Sequence, residues 1–422
     1  MRISLPIVWT ILAIEASSSI QEGCELSLEY RTGDLREPQP LILADTALDE
    51  QPAFLLPNAK KRLVIPKNAS IVLSCPGSKN GLLNFTEPRR SARATCLKGK
   101  HFLVTNGRGL EVREFSEFRC KTGARDTVRK SQATCLDNQH QMYEIGFELR
   151  RGVFLKLLDI CRDDSRYATR YVKSRLPREI LGHQSSYPRP YWKYGPYYGS
   201  YDMRRIYRIE SQLGSLEAQL GSAELARDYI RPGAQFLNRG HLAAKADFVY
   251  GSQQSATFWL LNTAPQWSNF NAGNWLRIEE AVKKYVAERG VGLDVYTGVH
   301  GAARLPGPTT GPVLYLHANG TTGAREFPVP RYFWKVIHDV GANRALAFVG
   351  LNEPYAANVT RDMYLCPDIG DEASDRWIGW QPRVLARGLA YLCSVEALRL
   401  AVPAVPQLGE AGVLSLVDAS GY

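Results

Sequence analysis

The sequence predicts an α+β chain, a small disulfide-tied β-rich domain followed by a larger domain that mixes strands and helices. Three observations carry this reading. Six of the eight cysteines lie before residue 162. Short runs of β-branched or alternating residues fill the same region, punctuated by Gly, Pro, Asn and Ser. Helical periodicity emerges only later, at 203–228 and 274–289, between further strand-like runs. The expected organisation is a leader at 1–20, a Cys-rich β-type domain at 22–161 and a catalytic-sized domain at 162–422.

The elements follow in order. Met1 and Arg2, the apolar run Ile3 to Ile14 and the small residues Ala16 to Ser19 read as a secretory signal. No later run is long and apolar enough to suggest a membrane span, so the expectation is a soluble, secreted protein without a membrane partner. The even cysteine number suits an oxidising compartment. None of the cysteines has the close spacing of a zinc site. The simplest pairing is three bridges among the first six and one between Cys366 and Cys393. Sequons at Asn68, Asn84, Asn319 and Asn358 are glycan acceptors in such a compartment.

Strands are expected within 69–75, 101–107, 110–118 and 142–149. The segment YPRPYWKYGPYYGSY, 187–201, is an ordered Tyr-rich loop, better read as packed on the domain than as a base-stacking surface. Helices are expected at 203–228, broken near Gly214 and Gly221. Strands follow at 291–301, 312–320 and 344–354, with 329–341 a strand or short helix. Residues 373–400 read as largely helical. The formal charge of +10 points to an anionic partner.

The densest chemistry lies in Phe236–Glu280. His241 follows Arg239 and Gly240. A histidine accepts a proton near neutral pH, arginine offers a planar fork for phosphate, and glycine lets the backbone approach a ligand closely. Asn262, Asn269, Asn271 and Asn274 then crowd the approach to a helix whose apolar face is Trp275, Ile278, Val282, Tyr285 and Val286. An amide there can cap the helix or ligate a hard cation. Glu279, two turns in, can hold one of that cation's waters.

The run R-G-H at 239–241, N-T-A-P-Q at 262–266, N-A-G-N-W at 271–275 and Glu279 resembles the DNA/RNA non-specific endonuclease family, as do Y-T-G at 296–298 and V-P-R-Y-F-W-K at 329–335. Within it the chain most resembles secreted arthropod-type nucleases for double-stranded RNA and DNA. The resemblance implies a ββα-metal nuclease domain on a central antiparallel sheet flanked by helices. It implies a Mg²⁺ cofactor, with Mn²⁺ or another divalent cation as alternatives, and a nucleic-acid substrate, RNA or DNA. His241 would be the general base, Asn271 the direct metal ligand and Glu279 a ligand through water. Asn262 would orient the site and Arg239 would support the phosphate. The metal would stabilise the leaving 3′-oxygen, giving 5′-phosphate products. A further phosphate-gripping arginine is expected upstream, with Arg189, Arg204, Arg205 and Arg208 all open. One position departs from the pattern: Asn238 stands where the family has Asp. That departure sustains a competing reading, a secreted nucleic-acid-binding protein with weakened catalysis on the same scaffold. The sequence leaves the oligomeric state open.

Overall fold

Alternation builds the first sheet. Ser91–Lys98 places every second residue inward, so Ala92, Ala94 and Cys96 reach the core while their neighbours face water. It pairs with Ser70–Ser74 and His101–Asn106, and Leu41–Ala44 and Gly109–Glu114 complete a five-stranded antiparallel sheet. Cys24–Cys96 and Cys75–Cys120 staple this region. The structure is a computed structural model that describes residues 23–415, apart from 47–50, 87–88, 108, 151, 306–310, 372, 374–377 and 410. The leader expected at 1–20 lies outside the described residues. Among those residues, no helix is long and apolar enough to cross a membrane.

The second sheet has nine strands and is the frame of the molecule. From one edge it runs Ala390–Cys393, Arg344–Leu351, Tyr332–Asp339, Leu293–His300, Ala168–Leu176, Val153–Asp163, His140–Arg150 and Thr127–Cys135, all antiparallel. Gly412–Val413 adds in parallel beside Arg344–Leu351. The near-continuous apolar runs of the central strands mean that both faces are covered. In Tyr332–Asp339 the period of two divides the strand between two cores. Phe333 and Ile337 join the core under the helix Asn274–Arg289, and Tyr332, Trp334 and Val336 join a second core with Leu398 and Val402. Trp275 of the helix meets Phe333 edge-on at 5.6 Å.

Helix signals held where periodicity was strong. Asn274–Arg289 buries the five expected apolar residues and stops at Gly290, whose φ of 63° ends the helix in a left-handed turn. The expected 203–228 helix is three pieces, Met203–Ile206, Ile209–Leu220 and Ala223–Tyr229. Gly221, at φ 70°, makes the second break, while Gly214 stays inside a helix. The 329–341 segment resolves to a strand.

Two expectations differ from the structure. Residues 373–400 are not largely helical: among the described residues only Val395–Ala401 is an α-helix, and Cys393 sits in the edge strand Ala390–Cys393. Gly388 at φ 82° turns the chain there, and pairing with Arg344–Leu351 outweighs local helix propensity. The large sheet also crosses the 161/162 boundary drawn from cysteine density, which falls inside Val153–Asp163. Cysteine density marks stapled loops, not sheet membership, and the bridge Cys135–Cys161 belongs to the large sheet. The fourth bridge is Cys366–Cys393, so three bridges lie before residue 162 and one after, as expected. All four sequon asparagines are exposed.

Gly350 marks how tightly the sheet receives the segment before the long helix. A Cβ there would stand 2.5 Å from the ring of the fully buried Phe270, next to Asn271. Gly350→Ala should lower stability by about 1–3 kcal/mol, the usual range for overpacking. Urea unfolding of the full chain measures this, and an unchanged midpoint would refute the close contact.

Candidate active site

Two strands and a helix assemble the site. Leu237–His241 and Thr263–Trp267 pair antiparallel, with His241 opposite Thr263 and Arg239 opposite Pro265. Directly opposed residues share a face, so His241 and Arg239 project together and Asn238, Gly240 and Gln266 project the other way. A Cβ on Gly240 would fall 2.4 Å from Gln266 Oε1, which is why the middle position of R-G-H takes no side chain. Asn352 anchors the pair to the large sheet: its Oδ1 accepts from Trp267 N at 2.9 Å and its Nδ2 donates to Pro330 O at 2.9 Å.

Asn262 fixes the loop that carries His241. It is fully buried, and its amide serves only backbone. Oδ1 accepts from Ala243 N at 2.9 Å, and Nδ2 donates to Ala243 O at 2.9 Å and Thr257 O at 3.0 Å. Asn262 is therefore a positioning residue rather than a group presented to a ligand.

His241 is boxed by rings. Trp192 lies 4.7 Å away and Phe258 4.9 Å away, centroid to centroid. The Tyr-rich loop thus packs on the domain, as expected, and also forms one wall of the site. Thr257 Oγ1 donates to Gln254 O at 2.7 Å, so its oxygen accepts from His241 Nε2–H at 3.4 Å. That tautomer leaves a lone pair on Nδ1. Burial, with the cations Arg189 and Lys245 facing the ring, pushes the imidazole down to about 3. His241 is consequently neutral across the physiological range.

Among the described residues the cations around it have no carboxylate partners. Arg239 stands over the Tyr207 ring at 4.5 Å, its Nε is buried without a hydrogen bond, and no carboxylate among the described residues pairs with it. Burial lowers its pKa. Arg189 lies over Phe258 at 5.1 Å, beside His241. Of the four upstream arginines, Arg189 is the one whose charge acts on His241. Arg204 instead covers Tyr194. Sequence reasoning gave no role to Trp192, Thr257 or Lys245; the alternating aromatic and basic residues of 187–193 were the available signal.

Asn271 ends the short helix Ser268–Asn271, and Gly273 starts the long one. A Cβ at Gly273 would lie 2.4 Å from Asn269 O and 2.6 Å from Arg387 O, so N-A-G-N-W needs glycine at its centre. The other crowded asparagines are structural. Asn269 Oδ1 accepts from Gln235 Nε2 at 2.9 Å, and Asn274 binds Gln381 and Gly388 backbone. The Asn271 amide and the Glu279 carboxylate have no hydrogen bond among the described residues. Glu279 is pushed up to about 7, chiefly by burial; Lys335 opposes the shift and Asp247 adds to it. Lys335 is itself buried, donating to Thr297 Oγ1 at 2.7 Å.

Among the described residues no three His, Cys, Asp or Glu side chains cluster as a metal cage. One free amide oxygen and one unpaired carboxylate suit a different kind of ion. Such a donor set fits a hard divalent cation that retains most of its waters, as Mg²⁺ does, and does not fit zinc.

The model of the DNA/RNA non-specific endonuclease family matches residues 138–397. A salivary endonuclease of Lutzomyia longipalpis is 27% identical over 261 residues, 62% of this chain and 60% of that protein. The chain thus spans under two thirds of the length of that relative. Salivary protein Tsal2A of Glossina morsitans morsitans is 23% identical over 377 residues, covering 86% of this chain and 87% of its own. A solved EndoG/EndoGI complex shares 19% identity at a TM-score of 0.32, over 55% of this chain and 83% of that one.

Two outcomes test the site's construction. Asn262→Ala strands buried backbone groups on Ala243 and Thr257 and should cost at least about 2 kcal/mol; urea unfolding measures it, and a smaller loss would remove the positioning role. His241 has a folded pKa of about 3, below the unfolded value of about 6.5. Its stabilising contribution is therefore complete above pH 6.5 and is lost as pH falls towards 3. The stability of the parent relative to His241→Gln should shrink between pH 7 and pH 4, and a pH-independent difference would contradict the buried neutral imidazole.

Proposed function

Because the chain belongs to the DNA/RNA non-specific endonuclease family, we propose that it is a secreted, Mg²⁺-dependent endonuclease that hydrolyses phosphodiester bonds of double-stranded RNA, DNA or both. The observation that supports this most directly is His241: an imidazole held neutral, with a free lone pair, facing the cations Arg189 and Lys245, neither of which pairs with a carboxylate among the described residues. Solvated surface arginines would not need such a setting. A site that receives a phosphate does.

The chain's own residues divide the work. Arg189 and Arg239 take the scissile phosphate, and their charge offsets what builds up on its oxygens. His241 Nδ1 accepts a proton from water, whose oxygen forms the new bond to phosphorus as the bond to the 3′-oxygen breaks. The 3′-oxygen takes a proton from solvent, which leaves a 5′-phosphate and a 3′-hydroxyl. Trp192 and Phe258 exclude bulk water from the imidazole, and Thr257 and Asn262 hold its tautomer and direction. Asn271 would ligate the cation directly and Glu279 through water. When bound, that ion supplies Lewis-acid stabilisation of the leaving oxygen.

The catalytic unit begins with strand Thr127–Cys135, since that strand belongs to the large sheet to which Asn352 anchors the site's strand pair. Four disulfides, and relatives named as salivary, support an extracellular working place. The net charge of +10 supports binding through phosphates. The second reading, a binding protein with weakened catalysis, rests on Asn238. In the strand pair that residue is on the face opposite His241, beside Gln266, so its replacement of Asp leaves the His241 face intact.

Digestion of plasmid DNA and double-stranded RNA with Mg²⁺, and again with EDTA, separates the two readings. Cleavage with Mg²⁺ that EDTA abolishes is expected; no cleavage with any divalent ion leaves the binding reading. His241→Ala should lower kcat by ~10²–10⁴-fold while sparing substrate binding, the range for loss of a general base. Asn271→Ala should raise the Mg²⁺ concentration at half-maximal rate, and an unchanged titration would end its ligand role.

A further inference from the structure

The first sheet and its connecting loop do more than precede the catalytic unit. Residues 122–126 lead from that sheet into the first strand of the large one, and Asp126 is clamped between them. Its carboxylate, almost fully buried, receives Lys193 Nζ at 2.6 Å and also Trp259 Nε1. Lys193 Nζ also donates to Ser255 O at 3.1 Å, and its backbone pairs with Phe258 and Leu260. These partners surround the site: Trp192 and Phe258 stack on His241, and Thr257 bonds to it.

Two cavities, of 460 and 580 Å³, are lined by this clamp. Gly77, Ser78, Arg125 and Asp126 line both, so the cavities are neighbouring compartments of one cleft. Trp259 and Tyr197 wall the first compartment, and Tyr187 and Ser255 the second. Tyr187 also accepts Lys245 Nζ on its backbone oxygen, and Lys245 faces His241. Three cations line the cleft: Arg90, Arg125 and Lys79. None is paired with a carboxylate among the described residues. Of the acidic lining residues, Asp126 is already neutralised by Lys193, and burial raises the Glu37 pKa; Glu148 completes the acidic lining. Aromatic walls with unpaired cations between them are the chemistry of a single-strand groove, in which bases stack and phosphates meet positive charge.

We propose that this cleft holds the unpaired stretch of nucleic acid that flanks the scissile phosphate, one nucleotide or two in each compartment, with Arg125 at the phosphate between them. The inference rests on the nuclease reading of the His241 site but adds a subsite that the family match does not contain. Arg90, Lys79, Arg125 and Asp126 all precede residue 138, where the family match begins. The first sheet then serves as part of the substrate track, and long strands bind more tightly than the catalytic hairpin alone would allow.

The test uses the full chain carrying His241→Ala, so that binding is read without turnover. Fluorescence anisotropy gives Kd for labelled single-stranded DNA of about six and about twenty nucleotides, across a salt series. The longer strand should bind at least about tenfold more tightly, the scale of one stacked base. Adding Arg90→Ala, Arg125→Ala and Lys79→Ala, all exposed positions, should erase most of that gain. It should also flatten the slope of log Kd against log salt by about two, roughly 0.7 for each lost contact on a single strand. A length gain that survives the triple substitution overturns the proposal, and so does a parent with no length gain. Thermal unfolding confirms that the variants fold. Cleavage of the same oligonucleotides by the unsubstituted chain is a separate readout: its absence would count against the nuclease reading while leaving a measured length gain to stand for the cleft.

Discussion

A buried amide sets the geometry on which the site depends. Asn262 satisfies Ala243 on both sides of its backbone and Thr257 at the far end of the loop. It thereby closes the span from His241 to Thr263 into one rigid piece. Inside a protein such a fully satisfied group is inexpensive, whereas any one of its partners left alone would carry a desolvation penalty. The loop therefore has one low-energy arrangement, and in it the imidazole meets Trp192, Phe258 and Thr257. Asn352 does the corresponding job at the other end of the strand pair, where it joins Trp267 to Pro330.

The same economy explains the electrostatics. The ring of His241 is desolvated by its neighbours and faces two cations, so it stays neutral. Arg239 is half-buried against Tyr207 with an unused Nε. An unpaired buried donor is uncommon in a settled structure, and Nε of Arg239 is one. Glu279 is the carboxylate that burial has made reluctant to ionise, with Lys335 and Asp247 pulling in opposite directions.

Much of this was legible in the residues. The helix Asn274–Arg289, its apolar face, the strands at 142–149, 291–301 and 344–354 and the Cys366–Cys393 bridge all followed from period and composition. Strong repeats over many residues leave few alternatives. Residues 373–400 were not legible in the same way. Their local propensity is helical, but the open edge beside Arg344–Leu351 claims Ala390–Cys393, and no local signal announces an unfilled sheet edge. Asn269 and Asn274 illustrate the same gap within the site: as residue types they match Asn271, and only their hydrogen bonds to Gln235, Gln381 and Gly388 remove them from consideration.

The sequence by itself determined the α+β class, the order R-G-H, N-T-A-P-Q, N-A-G-N-W and Glu279, and the pairing of the last two cysteines, because each rests on residues near one another in the chain. Tertiary structure decided what joins distant segments. It brought Arg189, one of four candidate arginines, over Phe258 beside His241. It placed Trp192 against His241, carried the large sheet across the position where cysteine density suggested a boundary, and set Asp126 of the first part against Lys193 and Trp259 of the second. Those choices depend on which surfaces can be buried together, a property of the folded chain that no window of sequence contains.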